Sequence, residues 1–339
     1  MITSIKIRNY KSVVDVNLPL GRFNLLIGAN GCGKSNILEG IAMGAAASSD
    51  KLDYEYFANR GIRVVAPQLM LPAFGNMDSG TLTVVFTNEK EVVFDICYNQ
   101  VAKPARWEAK QTINKYENPA ISQFLIYSLE ESKLRNADNS NRTFPMGRHG
   151  EGLFAYLKDL SQRLEGAAIF NEINENLTIL DWFDGMQVPS GQLSMEFNLK
   201  LKDSYLSETI NTFDQRSTNE GFLYLLFYLT LIISDETPRF FAIENIDTAF
   251  NPKLCREVMK RLIGLAKKHD KQIIATTHNP AILDGLDLND DEQKLMVVQR
   301  SVDGYTKVRT LKKEEVTNSE LPLSQLWIRG FVGGLPNNF

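Results

Sequence analysis

Apolar and polar residues alternate at the start of the chain, which predicts two short β-strands. Ile5 and Ile7 mark the first strand, and Val16 and Leu18 mark the second. The run at 23–27 is then almost continuously apolar and ends at a glycine. This pattern is typical of a buried central strand.

A helix is predicted from Asn36 onward. Two β-rich segments at 81–86 and 92–98 flank a polar turn, which is the pattern of a hairpin. From about 118 to 180 the pattern becomes helical, with a polar loop at 136–143. We interpret this stretch as an inserted lid or arm.

The second half of the chain predicts strands in alternation with helices. An apolar helix is expected after Asn219, and an amphipathic helix at about 252–269. The predicted strands are at 240–243, 272–275, 296–299 and 307–311. This alternation favours a mainly parallel sheet, so the predicted fold class is α/β.

Composition narrows the functional classes. The chain of 339 residues has a formal net charge of −4, so nucleic-acid binding would need a local basic patch. Its three cysteines and three histidines are dispersed, which argues against a disulfide scaffold or zinc site and indicates a reduced, cytoplasmic protein. The longest apolar run, 222–233, is too short to span a bilayer. The first residues lack the apolar core of a signal peptide, so no membrane association is expected.

The strongest motif is the run Gly28-Ala29-Asn30-Gly31-Cys32-Gly33-Lys34-Ser35, which fits the Walker A pattern G-x-x-x-x-G-K-[ST] between a predicted strand and helix. Its glycines let backbone N–H groups surround phosphates, and the helix start adds a positive dipole. Lys34 is expected to reach the β- and γ-phosphates, and Ser35 to bind Mg²⁺. ATP and Mg²⁺ are therefore the expected cofactors, the alternative being a chance glycine-rich turn. The predicted nucleotide-binding residues here are Gly28, Asn30, Gly31, Cys32, Gly33, Lys34, Ser35 and Asn36.

The runs at 5–12 and 24–36 resemble the opening of the SMC/RecF-type ATPases, a group that includes RecF, RecN and the OLD-type ATPases of bacterial defence systems. The pair Asn30-Gly31 in the loop and Asn36 after the serine are typical of that group. The resemblance implies an ABC-type P-loop nucleotide-binding domain with a small β-subdomain and a helical insertion. The expected parts are 1–100 with Walker A and the β-subdomain, 101–210 as a mostly helical insertion, and 211–339 with the remaining motifs.

Asn219 and Gly221, at the head of the apolar helix, resemble the signature element of this family. That element is usually Ser-x-Gly and contacts the γ-phosphate held by the opposite subunit. Asparagine caps helices well, and free N–H groups at a helix start can hold an anion. Asparagine stands here where serine is usual, and the alternative is an ordinary capped core helix.

The strand at 240–243 and the residues after it resemble the Walker B motif. Glu244 fits the acid that holds Mg²⁺. Asn245 occupies the place of the catalytic glutamate, and an amide cannot accept a proton as a carboxylate does. It could still orient water, as glutamine does in some GTPases. Asp247 is a candidate for the missing carboxylate; otherwise hydrolysis is expected to be slow. The alternative is a solvated acid after a buried strand.

His278, in Thr276-Thr277-His278-Asn279-Pro280, resembles the switch histidine that contacts the γ-phosphate and reports its loss. The alternative is a satisfied polar residue. The resemblance also brings Tyr10 close to adenine, on which it could stack, and Arg8 or Lys11 close to phosphate. Strand-edge solvation is the alternative for these three.

Two further segments leave alternatives open. Basic residues on or just beyond the amphipathic helix form either a phosphate-binding stripe or, as we favour, its solvated side. They are Lys253, Arg256, Lys260, Arg261, Lys267, Lys268 and Lys271. The apolar tail at 326–335 is expected to dock on the protein's own core rather than on a partner.

The resemblance implies two copies that sandwich two ATP molecules, so that ATP holds a homodimer or higher oligomer together and hydrolysis releases it. The preferred function is an ATPase that controls a separately encoded effector, a nuclease or toxin, in bacterial anti-phage defence. One alternative is an ATP-gated scaffold with very slow hydrolysis. The other is a RecF-like DNA-repair ATPase, for which ATP-dependent DNA binding would be the discriminating observation.

Overall fold

The computed structural model of the chain describes residues 1–73, 80–111, 118–136, 145–164, 166–187, 199–207, 212–316 and 321–335. The chain divides into two compact units. The first unit comprises Met1–Ile126, Pro238–Ile246 and Gln272–Phe339, and the second comprises Tyr127–Thr237 and Asp247–Lys271. The three functional parts predicted from the sequence stay a prediction.

Strands and helices alternate much as the sequence predicts. The strands are β1 Ser4–Tyr10, β2 Val13–Pro19, β3 Phe23–Ile27, β4 Thr81–Thr87, β5 Glu91–Asn99, β6 Arg106–Gln111, β7 Ile126–Tyr127, β8 Phe183–Gln187, β9 Lys200–Asp203, β10 Thr212–Asp214, β11 Phe240–Ile243, β12 Gln272–Thr276, β13 Gln293–Arg300 and β14 Thr306–Thr310. The α-helices are α1 Lys34–Ser48, α2 Tyr54–Asn59, α3 Pro67–Met70, α4 Pro119–Ser122, α5 Glu131–Arg135, α6 Leu153–Ser161, α7 Gly166–Leu177, α8 Glu220–Ile233, α9 Pro252–Lys268 and α10 Leu323–Ile328. Short 3-10 helices cover Pro280–Gly285 and Lys313–Glu315.

The central sheet has the strand order β14-β13-β3-β12-β11-β7. Strands β13, β3, β12 and β11 are parallel neighbours, and β14 runs antiparallel to β13. This confirms the α/β class and the mainly parallel sheet. The register pairs Leu26 with Thr276, and Ala275 with Ile243. The carboxyl ends of β3, β12 and β11 therefore meet at one edge of the sheet.

A second sheet of the first unit is antiparallel, in the order β2-β1-β4-β5-β6. The pairing of β4 with β5 confirms the predicted hairpin. Helix α1 packs against β1 and β4, and one core joins Ile7 and Phe86 to Ala242 and Ile274 of the central sheet. At Gly44 a Cβ would come within 2.7 Å of the Phe86 ring. The helix that follows the glycine-rich loop is thus fixed closely against the antiparallel sheet.

Helix α8 is the core of the second unit. Its residues Phe222 to Ile233 are all buried, and α5, α7 and α9 pack against it. Residues 101–210 contain strands as well as the predicted helices: β6 joins the antiparallel sheet, and β8 and β9 form a small sheet with β10. Phe183 and Leu201 are buried there, but the strands are too short for their period of two to stand out from the sequence.

Part of the predicted polar loop, 137–143, lies outside the described residues. Within the described ranges, no helix has both the length and the apolar character needed to cross a bilayer.

Candidate nucleotide-binding site

The glycine-rich loop leaves the carboxyl end of β3 and leads directly into α1. Gly28 and Gly33 have φ angles of 150° and 110°, which side chains other than glycine rarely adopt. A Cβ at Gly28 would lie 2.2 Å from the Val298 carbonyl oxygen, and one at Gly33 would lie 2.0 Å from Thr306 Oγ1. Both glycines are therefore required by close packing as well as by backbone conformation.

Lys34 is folded back along the loop. Its Nζ donates to the carbonyl oxygens of Gly28 at 2.7 Å and Ala29 at 3.2 Å, and it lies 3.7 Å from Cys32 Sγ. Burial lowers the pKa of Lys34, and the nearby Cys32 and Glu244 oppose this change. The loop therefore holds an ammonium group at the point where the motif predicts phosphate.

Ser35 and Glu244 come into direct contact, although they are far apart in sequence. The Ser35 hydroxyl donates to Glu244 Oε1 at 2.5 Å. The parallel register produces this contact, since both residues follow the carboxyl ends of central strands. A hydroxyl and a carboxylate are the hard oxygen ligands that Mg²⁺ prefers beside phosphates, so the donor set fits the expected ion.

Asn245 follows Glu244 in a left-handed conformation, with φ at 50°. Its backbone N–H donates to Thr276 Oγ1 at 3.0 Å, and the Ile246 N–H donates to the Thr276 carbonyl at 3.0 Å. These bonds tie the end of β11 to the end of β12. Asparagine adopts this conformation more readily than glutamate does, so the backbone suits the residue that is present.

His278 is exposed just beyond the end of β12. The Thr277 N–H before it donates to the Leu26 carbonyl at 3.3 Å, next to the glycine-rich loop. Asn279 after it accepts from the Ala281 N–H at 3.0 Å and so caps the 3-10 helix Pro280–Gly285. The imidazole is thus presented at the same sheet edge as Lys34 and Glu244.

Three of the predicted site residues, Asn219, Gly221 and Asp247, belong to the second unit. Asn219 caps α8, with its Oδ1 accepting from the Phe222 N–H at 2.9 Å. At Gly221 a Cβ would lie 3.0 Å from the Ala249 carbonyl oxygen, so the turn favours glycine. Burial, followed by the nearby Asp247 carboxylate, raises the pKa of Cys255 to about 11. The structure thus supports the cap, while the functional roles of Asn219, Gly221 and Asp247 stay predictions.

Sequence reasoning missed a buried cluster around Glu39, on α1. Only 2 % of this residue is exposed. Its carboxylate accepts from the Tyr10 hydroxyl at 2.9 Å and pairs with Lys11 Nζ and Arg63 Nε. Arg63 also donates to Asn36 Oδ1 at 3.0 Å, which places this guanidinium beside the loop. The available signal was a single acid within the otherwise apolar stretch 37–47 of this helix.

The suggestion that Tyr10 stacks on adenine is wrong. Tyr10 is fully buried, and its hydroxyl is bonded to Glu39. Burial, reinforced by Glu39, raises the pKa of Tyr10 well above its usual value. Lys11 is likewise engaged with Glu39 and with the Arg63 carbonyl, while Arg8 pairs with Asp15.

The β13–β14 hairpin braces the loop from its other side. Thr306 Oγ1 donates to the Cys32 carbonyl at 3.0 Å and is bonded to Ser12 Oγ at 2.7 Å. Arg300 Nη1 donates to the Gly31 carbonyl at 3.0 Å. These contacts join residues at opposite ends of the sequence, so no local motif could reveal them.

The basic residues of α9 are mostly tied to neighbouring groups. Lys260 pairs with Glu257, and Lys268 pairs with Glu172. Arg261 donates to the carbonyl oxygens of Glu175 and Asn176. Lys271 is buried and donates to Ser234 and Thr237. The basic residues of α9 itself therefore form the solvated side of the helix, where local contacts hold most of them, rather than a continuous stripe that binds phosphate.

Two family models match the chain. One, described as AAA ATPase domain, covers residues 1–236. The other, described as AAA domain, putative AbiEii toxin, Type IV TA system, covers residues 198–284. A search of curated proteins gives no match.

Solved structures of SMC head domains share the fold. An SmcHead bound to the C-winged helix domain of ScpA has a TM-score of 0.60 and 16% identity, over 93% of this chain and 99% of that chain. An Smc head domain with an extended coiled coil, bound to the C-terminal domain of ScpA derived from Pyrococcus furiosus, has a TM-score of 0.62 and 13% identity, over 93% and 97%. The SMC head domain from Thermotoga maritima has a TM-score of 0.52 and 13% identity, over 92% and 99%. At these identities the likeness concerns the fold.

The glycine-rich loop and the family model over residues 1–236 define an ATPase domain of the AAA type, and its fold is that of SMC head domains. The chain belongs to the AAA ATPase domain family. ATPases of this type generally bind ATP with Mg²⁺.

Proposed function

We propose that this protein binds ATP with Mg²⁺ at the shared edge of β3, β11 and β12 and hydrolyses it there. Two copies close around two nucleotides, and the cycle of closure and release controls a separately encoded effector protein. The observation that carries the proposal is the direct contact between Ser35 and Glu244, 2.5 Å apart, beside the buried Lys34.

The residues have separate tasks in this proposal. Backbone N–H groups of the loop and Lys34 hold the phosphates. Ser35 and Glu244 hold the metal ion, which neutralises negative charge on the phosphates when it is bound. Asn245 orients the attacking water through its amide, and His278 contacts the γ-phosphate. Asn219 and Gly221 of the opposite copy complete the site, and Asp247, two residues after Asn245, is the candidate for the missing catalytic carboxylate.

A homodimer around ATP and a protein effector are supported by analogy. Two of the similar SMC head structures are bound to parts of ScpA, a second protein. The description of the second family model names a putative toxin of a type IV toxin–antitoxin system. The ScpA-bound structures support a partner protein, and the family description supports a connection with a toxin–antitoxin system. The role in anti-phage defence rests on the resemblance to defence ATPases alone.

An ATP-held scaffold with very slow hydrolysis is the second candidate. It is favoured by Asn245, whose amide cannot take a proton from water, and by the left-handed backbone, which suits asparagine. In this form ATP binding, rather than turnover, would hold the effector inactive. A RecF-like DNA-repair role is less supported, because most of the basic groups of α9 already have partners.

The deciding measurement is Mg²⁺-dependent phosphate release by the wild type, Lys34→Ala and Asn245→Asp. Aspartate is the matched carboxylate, since it tolerates the left-handed backbone better than glutamate. An active ATPase would show turnover that falls about 100-fold or more in Lys34→Ala. If the wild type binds ATP without cleaving it, and Asn245→Asp cleaves it, the result would favour the scaffold. Absence of ATP binding by the wild type would refute both.

A further inference from the structure

The segment 321–335, which we call the strap, lies outside both ranges matched by the family models. Its helix α10 is fastened to the 3-10 helix that follows His278. The Ser324 N–H and hydroxyl donate to the Asp284 carboxylate at 2.9 and 2.7 Å. One end of the strap is therefore attached to the loop that carries the proposed switch histidine.

The other end of the strap lies against the glycine-rich loop. Arg309 Nη2 donates to the Val332 carbonyl at 2.7 Å, and Val332 is buried. A Cβ at Gly334 would come within 3.4 Å of Gly28 Cα and 2.8 Å of Val297 Cγ1. The apolar tail thus docks on the protein's own core, as the sequence predicts, and it connects the two loops of the nucleotide site.

The outer side of the strap is apolar and open. Ile328, Phe331 and Leu335 are 54, 71 and 39 % exposed. Beside them a cavity of about 590 Å³ opens between the strap and the glycine-rich loop. Ile328 and Leu335 line it on the side of the strap, and residues 29–32 of the loop form the opposite wall, so a ligand in this cavity lies directly against the phosphate loop. Exposed apolar residues grouped next to a cavity are typical of a surface that binds another molecule.

The cavity is positively charged. Arg300 and Arg329 line it, and no acidic residue is among the described residues of its lining. Arg300 is held by the carbonyl oxygens of Gly31 and Gly304, so its charge is fixed at the loop. Arg329 is exposed. In a chain with a net charge of −4, two arginines at one cavity favour an acidic ligand.

We propose that the strap and its cavity bind an acidic, apolar segment of a partner protein. Carboxylates of that segment pair with Arg300 and Arg329, and its apolar side chains cover Ile328, Phe331 and Leu335. Two arginines beside three apolar side chains suit a peptide better than the repeated phosphates of DNA, which require a longer run of cations. The identification of this partner with the effector rests on the proposed function, whereas the binding surface does not.

The position of the strap couples this surface to the nucleotide. Since the strap contacts Gly28 and is bonded to the helix after His278, any change of these loops on ATP binding shifts the strap. Such coupling is reciprocal, so ATP and the partner segment change each other's affinity by the same factor.

The probe is a fluorescein-labelled 12-residue peptide of alternating aspartate and leucine or phenylalanine, compared with its lysine counterpart by fluorescence anisotropy. The test variants are Arg329→Glu and Phe331→Ser. The matched controls are Arg256→Glu, an exposed arginine of α9, and Val302→Ser, an exposed valine of the β13–β14 turn. Circular dichroism and ATP binding are measured on every variant, and the peptide titration is repeated with ATP.

We expect the acidic peptide to bind about tenfold or more tightly than its lysine counterpart. Both test variants should lose about tenfold in affinity for the acidic peptide, and the controls should keep the affinity of the wild type. Equal loss in the controls, or no preference for the acidic peptide, would overturn the proposal. A third outcome is that a 12-nucleotide oligothymidylate binds more tightly than the acidic peptide and that its binding depends on Arg329. This result would overturn the peptide proposal and show that the surface binds nucleic acid. Because ATP binding is measured separately, failure of the proposed ATPase function would be seen independently of the peptide result.

Discussion

Glu39 shows how the residues around the glycine-rich loop depend on one another. Its buried carboxylate accepts from Tyr10 and pairs with Lys11 and Arg63, and Arg63 in turn contacts Asn36. Glu39 thus neutralises the charges of Lys11 and Arg63. Through Arg63 it also fixes Asn36 next to the phosphate loop. We regard Glu39 as a positioning residue for this side of the site.

The first prediction at this scale is that Glu39→Gln destabilises the protein by about 3 kcal/mol, because Lys11 loses its partner while it stays largely buried. Urea unfolding would measure the loss. Glu108→Gln, in an exposed pair with Arg106, is the control and should change the free energy of unfolding by less than about 1 kcal/mol. Equal effects of the two changes would show that the Glu39 cluster contributes nothing beyond a surface ion pair.

Gly33 gives a second prediction at the residue scale. Gly33→Ala is expected to destabilise the fold by at least about 2 kcal/mol, through a strained φ and a clash with Thr306 Oγ1. Thr306→Ala in the same chain should recover part of that loss, since it removes the atom that clashes. Thermal unfolding of the single and double variants tests this, and purely additive losses would contradict the clash.

At the scale of elements, helices α8 and α9 have the same kind of cap, and comparing them distinguishes a structural from a functional role of Asn219. Asn219 caps α8 and Asn251 caps α9, each with Oδ1 accepting a backbone N–H at 2.9 Å. We expect Asn219→Ala and Asn251→Ala each to cost about 1 kcal/mol of stability. If Asn219 also contacts nucleotide, only Asn219→Ala should lower ATP turnover, by tenfold or more. Equal turnover in both variants would leave Asn219 as a cap alone.

The strands of the central sheet could be predicted because local patterns encode them. Continuous apolar runs marked β3 and β11, and the glycine-rich loop is a motif within one segment. Thr306 could not be predicted, because its bonds to Ser12 and to the Cys32 carbonyl join distant parts of the chain. The prediction for Tyr10 was wrong for a related reason. A tyrosine at the end of a strand is expected to be exposed, and the sequence does not show that the Tyr10 hydroxyl is bonded to Glu39 in the interior.

At the scale of the whole molecule, nucleotide should control association. With Mg²⁺ and a non-hydrolysable ATP analogue, light scattering after size-exclusion chromatography should show a twofold rise in the molar mass of the wild type, because two nucleotides hold two copies together. Lys34→Ala, which should not bind ATP, is the control and should keep the mass of the nucleotide-free protein. The same mass of the wild type with and without the analogue would contradict the dimer.

The strap also matters for the practical handling of the protein. Gly334 packs on Gly28, so a purification tag or fusion partner joined close to Leu335 would emerge beside the phosphate loop and could alter nucleotide affinity by itself. The same closeness is useful for spectroscopy. An environment-sensitive dye at position 331, whose side chain is exposed, would report on the state of the loop without touching any residue assigned to chemistry.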